Sequence, residues 1–222
     1  MNPVIVTSQE PVLLLGGGVV DASDLREALS VCPTVVAADS GARAALAAGR
    51  VPDAVIGDFD SLAAADRAAL PAERLHRIPE QDTTDFDKCL RSVKAPVLVC
   101  LGFSGARLDH ELAVYNSLVR HPERRALIVG SHDICFHGAS GIELGLPVGS
   151  RLSLFPMREV TGRSEGLAWP IDGLTLAPDG RVGTSNRVTG PVRLHFDGPG
   201  MLVILPKTAA GRVLEAWGRQ TG

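Results

Sequence analysis

Between Val12 and Val129 short apolar runs alternate with helix-like stretches, and this alternation narrows the folds open to the chain more than any other feature. Val12–Leu15, Thr34–Ala38, residues 54–56, 74–78 and 96–103, and Ala126–Val129 read as strands. Asp21 to Asp24 opens a helix through Leu25, Ala28 and Leu29. A helix over residues 42–48 has Gly49 as its C-cap. One over 62–70 has Ser61 as its N-cap and stops at Pro71. Thr83 or Thr84 caps a further helix, with Asp85 and Asp87 in its first turn. The last begins near Gly102–His110 and closes at His121-Pro122, with Leu108, Leu112, Tyr115 and Val119 as its apolar stripe. Strand and helix in alternation predict a doubly wound, mostly parallel α/β sheet.

After Gly130 the pattern changes. Cys135-Phe136, residues 151–155, 174–176, 192–196 and 201–205 are short apolar or alternating runs separated by Gly, Pro, Asn and Asp. They predict a smaller antiparallel β-sandwich. The expected domains are residues 1–131 and 132–222. Residues 166–172 and 183–187 read as loops of the second domain. Asp133, Cys135 and His137 share a strand face and imitate a metal site, but no partner cluster accompanies them.

The chemistry concentrates where the strands end. Ala54-Val-Ile56 leads through Gly57 into Asp58-Phe-Asp60. On an extended exit, positions i and i+2 point the same way. Two carboxylates aimed at one spot repel unless a cation lies between them, and a hard divalent ion with oxygen ligands meets that need. Asp39, Gln81-Asp82 and Gly102–Asp109 also follow strands, and ligands of such sheets bind at the strands' carboxyl ends. Gly16-Gly-Gly18 is either a tight turn or a close backbone approach to phosphate. Arg107 with Asp109 reads equally as a local ion pair, and Asp109 shares a helix face with Asn116.

Composition removes several alternatives. A net charge of -3 and 4% aromatic residues favour neither nucleic acid nor an anionic membrane. Four cysteines without a CxxC spacing fit a reduced compartment. Met1–Val6 is too short an apolar run for a signal peptide, and nothing approaches the length of a membrane span, so a cytoplasmic protein is expected. The only lysines are Lys88, Lys94 and Lys207, none in a P-loop, and there is no Gly-x-Ser-x-Gly or His-Glu-x-x-His. A carboxylate-rich strand-end site beside Lys88 and Arg107 suits Mg²⁺-nucleotide chemistry.

The motifs Asp39-Ser-Gly-Ala42, Pro52-Asp53, Gly57-Asp-Phe-Asp-Ser61, Asp82-Thr-Thr-Asp-Phe-Asp-Lys88 and Gly105-Ala-Arg-Leu-Asp-His110, with Gly166-Leu-Ala-Trp169 and Thr184-Ser-Asn186, resemble the thiamin pyrophosphokinase family. The resemblance implies transfer of the terminal diphosphate of ATP to the thiamin hydroxyl by a homodimer with sites near the subunit interface. It places Asp58, Asp60 and Asp85 on Mg²⁺, and makes these three and Asp109 the catalytic set, with Asp85 or Asp109 as proton acceptor. Asp39, Gln81, Asp82, Thr84, Lys88, Arg107 and Asn116 would line the ATP region, and Trp169, Ser185 and Asn186 would face thiamin. The chain departs from the family pattern at Ser40 and Ala106, each standing where glycine is usual. Two other readings stand beside this one. One is a diphosphokinase of the same fold acting on another hydroxymethyl heterocycle, such as a pterin. The other is a non-catalytic nucleotide- or thiamin-binding regulator. Trp169 with Ser185-Asn186 favours thiamin, and the joint presence of four aspartates speaks for catalysis.

Overall fold

A computed structural model of the protein describes residues 4–138 and 141–219. The start of the N-terminal run read for a leader, Met1–Pro3, lies outside them. The chain divides into two units. The first runs to Ser117 and includes Ile128–Gly130, and the second holds Leu118–Leu127 and the chain from Ser131 onward.

The first unit contains β1 (Val12–Leu15), α1 (Ala22–Val31), β2 (Thr34–Ala38), α2 (Ala42–Ala47), β3 (Ala54–Gly57), α3 (Ala64–Ala68), β4 (Leu75–Arg77), α4 (Asp85–Ser92), β5 (Leu98–Leu101) and the start of α5 (Leu108–Arg120). The strands are all parallel, in the order β5-β1-β2-β3-β4. β1, β3 and β5 are buried throughout, as expected of a parallel sheet covered on both faces. Strand order reverses between β1 and β5, where Leu15 lies opposite Leu101. The loops after these strands therefore diverge at a topological switch point, the usual ligand crevice of such sheets.

The caps follow local chemistry. Asp21 accepts from the backbone N–H groups of Ser23 and Asp24 at the start of α1, and Thr84 accepts from Asp87 N at the start of α4. Gly49 closes α2 at φ +72°. Asp53 splices its loop to β2, accepting from Val35 N at 2.9 Å while its own N–H donates to Val35 O.

Two expectations fail here. Ser61 does not cap a helix: α3 begins at Ala64, with Ala63 at its N-cap and no side-chain capping bond. Ser61 N instead donates to Asp39 Oδ2. The stripe on α5 is also displaced, because Leu108 and Leu112 are 70% and 55% exposed. Burial on this helix falls on Val114, Ser117, Leu118 and Val119, so packing is confined to its later turns.

Gly41, which precedes α2, is required by close approach, since a Cβ there would stand 2.0 Å from the Leu15 carbonyl oxygen. Gly41→Ala is expected to lower stability by about 3 kcal/mol, read as a lower urea midpoint at unchanged m-value.

After β6 (Ala126–Val129), the second unit contains β7 (Asp133–His137), β8 (Ile142–Leu144), β9 (Arg151–Pro156), β10 (Gly162–Leu167), β11 (Gly183–Phe196), β12 (Met201–Pro206) and α6 (Ala210–Arg219). β11 pairs with β9 through residues 183–187 and with β8 and β10 further along, so one long strand serves two antiparallel layers. β9 continues to β12, and β12 to β7. The stretch 183–187, read as a loop, is thus the first part of a strand. Residues 174–176 form no strand and contribute only a single bridge, Leu176 to Val160. The polar sequence of β10, Gly-Arg-Ser-Glu-Gly-Leu, hides a strand whose inward positions are taken largely by Gly162 and Ser164. The four cysteines are buried and none is in a disulfide. No helix among the described residues is long and apolar enough to cross a membrane.

Candidate functional site

A cavity of about 580 Å³ opens at the carboxyl ends of β1, β2, β3 and β5. One side is loop backbone. Gly16 N donates to Leu101 O and Gly18 N to Gly102 O, so the two diverging loops are stitched together. A Cβ on Gly16 would meet Gly102 O at 2.5 Å, and one on Gly17 would meet Ser40 Oγ at 2.2 Å. Loop-to-loop contact therefore accounts for glycine here. Phe86 and Phe103 pack at 4.7 Å between ring centroids and form an apolar wall.

The opposite side is acidic. Asp39, Asp58 and Asp60 each bring a carboxylate oxygen within 4.8 Å of the others. They converge for a reason different from alternation along a strand. β3 ends at Gly57, and Phe59 takes φ +70°, turning the chain so that Asp60 N donates to Asp58 Oδ1 at 3.2 Å. Phe59 packs on the cluster of Ala37, Ala42, Val55, Leu62 and Leu70, while its two neighbours serve the cavity. Asp39 has φ +45° and is 1% exposed. Non-glycine residues at positive φ cost on the order of 1–3 kcal/mol and persist where the surroundings enforce them.

Asp39 joins the carboxylate cluster, and Asp85 stands beside it on a cation. Lys88 Nζ donates to Asp85 Oδ1 at 2.9 Å and to Asp58 Oδ2 at 3.3 Å, with the lysine side chain 1% exposed. Gln81 Nε2 also donates to Asp58 Oδ2. Asp85, Lys88, Gln81 and Thr84 line the cavity. Asp82, Asp109 and Asn116 do not. Arg107 lines it but pairs with Asp109, and both side chains are about two-thirds exposed. The local ion pair is what the structure contains. Ser40, Ser61 and Thr83 also line the cavity without having been read as site residues, as do His110 and Glu111 from one turn of α5. Glu111 accepts from Gly105 N and Tyr115 Oη, and so fixes the loop before the helix. Glu111 carried no sequence signal, because its role depends on where that loop folds back.

Proton affinities express this crowding. The Asp58 carboxyl is held down to about 2, first by its hydrogen bond with the Asp60 carboxyl, against burial, and further by Asp60 N–H and Lys88. Asp60 is raised, by that same hydrogen bond and by the charge of Asp58, with burial, Asp39 and Asp85 adding to it. Asp85 is raised by burial, which Lys88 only partly offsets. Lys88 is raised as well: burial pulls it down, but Asp85 and Asp58 outweigh that.

These residues fit a hard divalent cation. Oxygen ligands converge, and Asp39 Oδ1 is buried with no hydrogen-bond partner in a cluster already overloaded with negative charge. A metal requires the deprotonated carboxylates. Affinity for a divalent cation is therefore expected to weaken on acidification beginning above the ordinary aspartate value of 3.8, because Asp60 and Asp85 are both raised. Asp58, held near 2, stays ionised through that window. Calorimetric titration from neutrality downward checks this, with a flatter profile expected for Asp60→Asn.

In the second unit, Trp169 is 60% exposed and Asn186 is buried. The Asn186 amide is spent on Trp169: Oδ1 accepts from Trp169 N at 3.1 Å and Nδ2 donates to Trp169 O at 2.6 Å. The Arg187 guanidinium lies 5.9 Å from the Trp169 ring centroid. Ser185 sits at φ +60° with its N–H donating to Ser153 Oγ. Asn186 thus positions an exposed aromatic.

Residues 25–129 match the family described as thiamin pyrophosphokinase, catalytic domain. A curated relative from Oryza sativa subsp. japonica, thiamine pyrophosphokinase 1, is 29% identical over 163 residues, covering 62% of this chain. The chain spans 59% of that relative's length. Among solved structures, yeast thiamin pyrophosphokinase superposes with a TM-score of 0.74 at 16% identity, covering 94% of this chain and 93% of its own. The enzyme from Geobacillus thermodenitrificans gives 0.72 at 22% identity, covering 91% and 99%. That from Candida albicans gives 0.72 at 17% identity, covering 93% and 94%. The chain has the fold of these proteins, and the resemblance read from its motifs recurs in all three kinds of comparison.

Proposed function

We propose that this chain, whose residues 25–129 match the thiamin pyrophosphokinase catalytic domain, is a thiamin diphosphokinase transferring the terminal diphosphate of ATP to the thiamin hydroxyl, with AMP as the other product. The observation that carries the reading is the strand-end cavity, where Asp39, Asp58 and Asp60 converge beside Lys88 and Asp85. Asp39, Asp58 and Asp60, with Asp85 adjacent, would hold Mg²⁺. Bound there, the ion would neutralise phosphate charge and the charge developing on the leaving group.

The chain's own groups supply the rest. Lys88 offers a buried ammonium to the phosphates. The diverging loops after β1 and β5 present backbone to the nucleotide, and Phe86 with Phe103 gives that side an apolar wall. Transfer at the β-phosphorus requires an in-line hydroxyl, so positioning dominates. Asp85 is our proton acceptor: it lines the cavity and has a raised proton affinity, whereas exposed Asp109 is held by Arg107. Trp169, on a backbone held by Asn186, is our thiamin-contacting aromatic. The proposal includes a homodimer working in the cytoplasm.

The test is an AMP-release assay with ATP, Mg²⁺ and thiamin, the product identified by mass, with a pterin alcohol run alongside. Thiamin-dependent AMP together with thiamin diphosphate is the expected result. ADP with thiamin monophosphate overturns the transfer chemistry, and turnover of the pterin alone overturns the substrate.

A further inference from the structure

Arg91 lies on α4 one turn beyond Lys88 and is absent from the cavity lining. Its side chain is nonetheless three-quarters buried in polar contacts. Nε donates to Asp87 Oδ2 at 2.8 Å, and Asp87 is 1% exposed. Nη2 donates to Thr83 Oγ1 at 3.1 Å and to the Glu80 carboxylate, which also accepts from the Thr83 hydroxyl. Glu80 and Thr83 belong to the connection between β4 and α4, which contains no strand or helix over residues 78–84. That connection delivers Gln81 to Asp58 and places Thr83 and Thr84 on the cavity wall.

A loop without ladder hydrogen bonds opens easily unless side chains hold it. The planar guanidinium fork suits that task, because it reaches several acceptors in one fixed geometry. We infer that Arg91 is a positioning residue, clamping residues 80–83 to α4 so that Gln81 and Thr83 meet the nucleotide in a set arrangement. This rests on the cavity's being the Mg–ATP site proposed above. Arg91 acts through the loop and touches no reacting atom. α4 itself does not depend on the clamp, being capped by Thr84 and anchored by buried Phe86, Cys89 and Leu90.

Arg91→Ala, Arg91→Lys and Glu80→Gln are compared by steady-state kinetics in Mg–ATP at saturating thiamin, and by amide exchange. In Arg91→Ala the KM for Mg–ATP is expected to rise roughly ten-fold, with the KM for thiamin unchanged. Amides of 80–83 should exchange faster, while those of α4 should not. Arg91→Lys restores part of the affinity, and Glu80→Gln shifts it in the same direction. Unchanged KM and unchanged loop exchange, with only a lower melting temperature, would mark a purely structural residue and overturn the inference. If Arg91→Ala fails to fold, Glu80→Gln decides, a raised KM supporting the clamp and an unchanged KM refuting it. If the wild type makes no thiamin diphosphate, the proposed function has failed separately. Calorimetry with Mg–ATP then makes the same comparison. Equal affinity in wild type and Arg91→Ala, or no binding by the wild type, overturns the clamp.

Discussion

Asp60→Asn is expected to lower turnover with thiamin and Mg–ATP by roughly a hundred- to a thousand-fold while leaving the protein as thermally stable as before, or more so. The two halves of this result have one cause. Asp60 is raised in proton affinity because it sits against Asp58, Asp39 and Asp85, so its ionised form is a liability to the fold until a cation compensates it. Asparagine keeps the size and removes the charge. Asp58→Asn should lose a similar amount of turnover but also lower the melting temperature, because Asp58 accepts from Lys88 and Gln81. Melting curves with and without Mg²⁺, beside kcat, separate the two. Near-normal kcat in both variants would remove the metal assignment, and a clear drop in the melting temperature of Asp60→Asn would contradict the crowding argument.

The second large effect concerns Lys88. Lys88→Met keeps most of the buried length but leaves Asp58 and Asp85 facing each other without their cation. Breaking a buried ion pair on one side costs about 3 kcal/mol or more, and turnover should vanish with it. Denaturant unfolding at neutral pH measures the loss. The pH dependence has a definite sign. Lys88 is raised in the fold, so its contribution is complete below the ordinary lysine value of 10.5 and is lost as pH rises through the higher folded value. Asp58 is lowered, so its share is present above 3.8 and is lost as pH falls towards about 2. Asp85, the nearer partner of Lys88, is raised and takes up its proton first, so the gap between wild type and variant should be widest between the Asp85 titration, above 3.8, and 10.5, and should narrow at both ends. A constant gap across that range, or none at neutrality, would mean that Lys88 is not held by these carboxylates.

The functional reading rests on this cluster, since the glycine-rich turn turned out to owe its glycines to contact between loops. Ser40 fits the same picture. Its hydroxyl occupies the space that a Cβ on Gly17 would need, so a side chain at one position is matched by the lack of one at the other.

Much of the architecture was legible because its causes are local. The strands Val12–Leu15, Thr34–Ala38 and Ala126–Val129 were read with the ends they have, since unbroken apolar runs bounded by turn residues admit little else. A cap at Thr83 or Thr84, of which the structure uses Thr84, and the Gly49 stop follow from local chemistry within one turn. The placing of polar clusters after strands was enough to indicate a strand-end site. Tertiary structure decided which members of those clusters meet. Asp39 enters the carboxylate group because β2 and β3 are neighbours and because Phe59, seated on the core, turns Asp58 and Asp60 back towards it. Asp109 had an equally good motif, yet exposure and its pairing with Arg107 keep it out of the cavity lining. Leu108 and Leu112 had the right period for a buried stripe, but period says only that residues share a face, and no neighbour covers that face at the start of α5 among the described residues. Arg91 carries no motif in the sequence, and its contacts with Glu80 and Thr83 arise only because the loop before α4 closes over it. The sequence by itself determined the parallel strands of the first unit, the caps made within one turn, and the strand ends at which polar residues gather, because those depend on neighbours along the chain. Convergence of charges, burial of Lys88 and clamping of the loop depend on groups far apart in sequence, and only the packed sheet brings them within reach of one another.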